Sequence, residues 1–137
     1  MLRRDFLQAE ISKLAQALAK IMGVKEAGQK QEADGLIRQN LIQGFDFNFD
    51  ESLLLDKEQF KELLLAKNYP SQKLDLLSQF LYEKVSPFQT NLQTVIVLNQ
   101  LLTIYELLEQ EYHTQSLENL NRKQAIIQFL NHNEQYG

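Results

Sequence analysis

Leu7, Ile11, Leu14, Leu18 and Met22 recur every three or four positions, the period that lines apolar side chains along one face of a helix. A first helix is therefore predicted over about 4–25, and Gly28 offers the break after it. Ala33, Ile37 and Leu41 repeat the pattern over about 29–43, where Gly44 is the predicted stop because glycine takes the left-handed conformation easily. The helical period resumes near Asp50 or Asp56. Asp56 and Gln59 have capping-box spacing, and Phe60, Leu63 and Leu64 follow as an apolar face. Asn68-Tyr69-Pro70-Ser71 interrupts the chain, since proline lacks an amide hydrogen and restricts the residue before it. Leu74, Leu77, Phe80, Leu81 and Val85 carry a fourth helix. Ser86-Pro87-Phe88-Gln89 reads as the start of a fifth, with a capping serine, a proline at the first helical position and a glutamine three residues on. That helix runs to about Tyr112 and is apolar around much of its circumference, the mark of a central element with neighbours on several sides. A last helix over about 116–131 buries Leu120, Ile127 and Leu130, with Ala125, Ile126 and Phe129 beside them.

The pattern predicts an all-α protein: five to six helices in antiparallel hairpins of about 4–43, 50–85 and 87–131, within one domain of residues 1–137. Five glycines and two prolines among 137 residues agree with helices rather than a sheet. The absence of cysteine excludes disulfides, thiolate nucleophiles and thiolate metal sites. A net charge of −4 sets the whole-molecule field against phosphate backbones, so no nucleic-acid partner is expected. Arg3-Arg4-Asp5-Phe6-Leu7 resembles a twin-arginine export signal, but Glu10, Lys13 and Lys20 interrupt the apolar segment that such a signal needs. No apolar run reaches membrane-spanning length, and a cytoplasmic location is the expectation.

Gly44 to Ser52, GFDFNFDES, is the most site-like segment. Asp46, Asn48 and Asp50 alternate as the first ligands of a calcium loop do. The required glycine is replaced by Glu51 and the required glutamate by Lys57, which argues against calcium. Phe45, Phe47 and Phe49 also alternate as in a half-buried strand, yet no partner strand is evident. The preferred reading is an extended connection in which the phenylalanines pin one hairpin against the next and Asp50 caps the following helix. Phe45, Phe47 and Phe49, with the basic Arg3 and Arg4, are the candidate interaction or hinge residues. His113 and His132 stand apart, without metal-ligand spacing. The basic first helix, with Arg3, Arg4, Lys13 and Lys20, contrasts with the acidic Glu106 to Glu111 segment, a polarity that could pair two copies as a homodimer. No phosphate loop, nucleophile elbow or zinc pattern is present, so no catalytic residue, metal or cofactor is assigned.

Gly28, Ala33 and Ile37 occupy the positions of the turn glycine, the small residue and the large apolar residue of a tetratricopeptide repeat. The segment Gly28 to Leu41 thereby resembles that family, and the opening resembles small bacterial helical proteins of tetratricopeptide-like type. Asn40, Ala17, Ile21 and Val24 depart from the family pattern. The resemblance implies a right-handed array of hairpins with a concave surface for a protein or peptide. The function expected is a non-enzymatic protein–protein interaction or scaffold module. The alternative is a helical protein that binds a small ligand in a pocket near the Phe45–Phe49 connection.

Overall fold

A computed structural model describes the backbone of residues 2–134 and the side chains of residues 5–133. All regular structure among the described residues is helical: α1 (Leu2–Glu26), α2 (Lys30–Phe45), α3 (Phe49–Ser52), α4 (Lys57–Lys67), α5 (Ser71–Val85), α6 (Leu92–Gln110) and α7 (Leu117–Glu134). Seven helices exceed the expected five to six because Phe49–Ser52, expected as extended connection, forms one helical turn. The chain divides into two compact units, one ending at Ser52 and one beginning at Leu53.

In the first unit α1 packs along α2. Gly28 adopts φ +83°, which a side-chain-bearing residue rarely tolerates, and so turns one helix into the other. Ala33, Ile37, Leu41 and Phe45 form the buried face of α2. Leu14, Leu18 and Ile21 are buried on α1, whereas Met22, assigned to the apolar stripe, is exposed. Gly44 does not end α2. A Cβ placed there would lie 2.6 Å from Leu14 Cδ2, so its missing side chain lets α1 approach. The helix stops at Asp46 instead, which takes the left-handed conformation at φ 50°.

In the second unit α6 is the centre: α4, α5 and α7 each pack on it, as its apolar circumference predicts. Asp56 and Gln59 form the reciprocal capping box at the start of α4. Asn68, left-handed at φ 53°, closes that helix through its own N–H to Leu64 and Leu65. The predicted start signal at Ser86 fails, because Ser86 ends α5 with its N–H on the Tyr82 carbonyl. Asn91 caps α6 instead, its side chain accepting from the Thr94 N–H at 2.8 Å. The expected 50–85 pairing also differs, since α4 rests chiefly on α6. Within the apolar face of α7 the fully buried isoleucine is Ile126, at 0% exposure, and Ile127, expected at its centre, is 38% exposed. Asn119 donates to Asp75 of α5 at 2.6 Å and the Phe129 ring meets Phe88 edge-on, which fixes the helix in that rotation.

Candidate functional site

Burial does alternate along GFDFNFDES, with Phe45, Phe47 and Phe49 at 1, 1 and 3% exposure and Asp46, Asn48 and Asp50 exposed. The backbone is nevertheless helix, turn, helix. Phe45 ends α2, and left-handed Asp46 swings the chain so that the Phe47 N–H reaches the Leu41 carbonyl at 2.9 Å. Phe49 begins α3. The cap predicted for Asp50 is made by Asn48, whose Oδ1 accepts from the Glu51 N–H at 3.0 Å. Asp50 instead takes both carboxylate oxygens to Arg38 Nη1 at 3.0 Å, while the guanidinium lies 5.2 Å from the centre of the Phe49 ring. Its hydrogen bond to Asp50 raises the Arg38 pKa above the ordinary guanidinium value. Asn48 and Asp50 therefore serve separate local roles, and no group of three His, Asp or Glu side chains that could hold a metal ion occurs among the described residues. Because Asp50 is largely solvated and Arg38 half-buried, their coupling in a double-mutant cycle with alanine is expected at about 0.3–1 kcal/mol, reduced by salt. Zero coupling in low salt would show that Arg38 does not hold the turn.

Arg3 and Arg4 stand in the first turn of α1, and their side chains lie outside the described residues. His113 sits in a left-handed turn after α6 and His132 near the end of α7.

The second unit contains a feature that no sequence motif announced. A cleft of about 320 Å³ opens between the start of α4 and the first half of α6. Leu55 and Phe60 form one wall and Val95, Ile96 and Leu102 the other. None of the three phenylalanines of the connection lines it, so this pocket is not where the small-ligand alternative placed one. Its polar groups are Asp56, Lys57, Asn99, Gln100 and Thr103. The Asp56 carboxylate is engaged at the start of α4, accepting from the Gln59 N–H at 2.8 Å. Lys57 pairs with Glu106 at 3.4 Å. Asn99 donates one amide hydrogen to the Val95 carbonyl at 3.0 Å, and the Thr103 hydroxyl donates to the Asn99 carbonyl at 3.1 Å. The volume lies at the lower end of small-molecule sites, and the mix of apolar walls with a few amide and hydroxyl groups is their usual chemistry. The sequence marked α6 only as apolar around much of its circumference, which predicts neighbours on several sides and not a cleft.

A second polar cluster joins α5 to α7. Asp75 accepts from Asn119 Nδ2 at 2.6 Å and from Gln79 Nε2 at 2.9 Å, and Arg122 donates to Asn119 at 3.2 Å while lying over the Tyr82 ring. These bonds close on one another and orient helices. Nearby on α6, the buried Tyr105 hydroxyl has no hydrogen-bond partner among the described residues, and burial pushes its pKa well above the usual phenol range. The adjoining void, about 10 Å³, has room for no more than a water.

No family model matches this chain, and no curated protein or solved structure matches it either. Among the described residues, no helix is long and apolar enough to cross a membrane.

Proposed function

We propose that this protein is a non-enzymatic binding module whose ligand is a small molecule held in the α4–α6 cleft. The cleft carries the reading: it combines adequate volume with apolar walls, and its polar groups are of the kind that orient a ligand rather than transform one. A nucleophile with an adjacent base is not among them. Filling the cleft tests this directly. Compounds that raise the melting midpoint of the wild-type chain should fail to do so with Ile96→Trp, a substitution at a half-buried wall residue. At about one hundred times its dissociation constant, a ligand should stabilise the wild type by about 2.7 kcal/mol. Equal shifts in wild type and variant would place the ligand elsewhere.

A second reading, a protein-interaction or scaffold module, is favoured by the exposed Phe6, Leu54, Leu92 and Leu117. The tetratricopeptide-like positions of Gly28, Ala33 and Ile37 support it, and with them a hairpin array, a cytoplasmic setting and pairing of two copies. Under this reading a light-scattering mass above the monomer's, or a captured partner, should be lost when Leu92 and Leu54 are both made polar.

A further inference from the structure

Charge in and around the cleft is already matched within the protein. Lys57 and Glu106 face each other at 3.4 Å. The remaining carboxylate, Asp56, sits at the start of α4, where it accepts the Gln59 N–H and meets the positive end of the helix dipole. A carboxylate ligand would meet Asp56 and Glu106 without a spare cation, since Lys57 is the only Lys or Arg in the lining. An ammonium ligand could reach the carboxylate oxygen of Asp56 that Gln59 does not use, but Asp56 is solvent-exposed, where such a pair gains little. Of the uncharged polar residues in the lining, Asn99, Gln100 and Thr103, the first and last stand one turn apart on α6 and keep hydrogen-bonding atoms for a ligand. Asn99 has used one amide hydrogen, leaving a second hydrogen and its oxygen, and Thr103 has donated its hydroxyl hydrogen, leaving an acceptor. Asn99 is exposed and Thr103 buried, so these groups run from mouth to floor beside the apolar walls.

We infer that the cleft selects a neutral ligand: an apolar body against Leu55, Phe60, Val95, Ile96 and Leu102, with one head group that both donates and accepts hydrogen bonds, such as a primary amide. This rests on the cleft being a ligand site, and it adds the chemical class.

Three probes sharing one skeleton test it: 3-phenylpropanamide, 3-phenylpropanoate and 3-phenylpropylamine, each titrated into the full chain at neutral pH and followed by backbone amide resonances. The amide should shift resonances of Lys57, Phe60, Asn99 and Thr103 and bind at least about tenfold tighter than either charged probe. A charged head finds only the solvent-exposed Asp56 or Lys57 as a partner, while the amide can both donate and accept at Asn99 and Thr103. In Asn99→Leu, at an exposed position whose spectrum reports the fold, the amide should lose about three- to tenfold in affinity. A charged probe that binds at the cleft as tightly as the amide would overturn the selection for a neutral ligand while leaving the cleft as a binding site. Unchanged amide affinity in Asn99→Leu would overturn the head-group assignment. If none of the three shifts the cleft resonances at millimolar concentration, both the inference and the small-ligand reading fail.

Discussion

Phe47→Ala is expected to lower the stability of the protein by about 3–5 kcal/mol, one of the two largest losses anticipated for a single substitution. The ring is 1% exposed, and it sits in a turn set by the left-handed Asp46 and by the Phe47 N–H on the Leu41 carbonyl. That backbone has little freedom to collapse into the space a lost ring leaves, so both the transfer term and the cavity term apply. Urea denaturation should show a lower midpoint at an unchanged slope, the signature of lost stability rather than altered compactness. A loss below about 1 kcal/mol would mean that the site relaxes around the truncation and that the ring is not a structural pin.

The same segment shows what a linear pattern can and cannot carry. Alternating Phe and Asp or Asn did report which side chains are buried, because burial does alternate from Phe45 to Asp50. Period-two burial usually means a strand, yet one left-handed residue between two helix ends gives the same alternation. Asp50 was assigned to a cap because capping is local, whereas its partner Arg38 lies twelve positions away on α2. Asn48, the other side chain able to cap there, took the role. Gly44 shows the same limit: a glycine near a helix end signals a stop, and only the position of Leu14 shows that close helix approach is its use. Gly28, by contrast, was legible because its demand is a backbone angle, which the chain sets locally.

Helices themselves were legible wherever the apolar period was long, and their exact faces were not. Ile126 and Ile127 are adjacent and equally apolar, so the choice between them falls to the Asn119–Asp75 bond and the Phe129–Phe88 contact, both of which link distant segments. The cleft was invisible for a related reason. Its walls come from residues 55–60 and 95–103, segments joined by no motif, and half-buried residues such as Val95 and Ile96 look in sequence like core. Asn99 and Thr103, each an ordinary polar residue on a helix, acquire meaning only once the start of α4 lies across them.

Leu101→Ala is expected to cost about 2–5 kcal/mol, while the same truncation at Leu92 should stay within about 0.5 kcal/mol. Both leucines belong to α6, and sequence alone treats them as equals in one apolar stripe. Their exposures are 0% and 75%, so truncation creates a cavity at one and merely trims a solvated side chain at the other. Leu101 lies in the middle of the helix on which α4, α5 and α7 all pack, so several elements would have to shift together to fill the void. Such concerted movement is what the partial relaxation of truncated cores shows to be costly. Paired urea titrations of the two variants decide the matter. Equal losses would mean that α6 is not the central helix of its unit, and a tolerant Leu101 would remove the rigid floor on which the α4–α6 cleft depends.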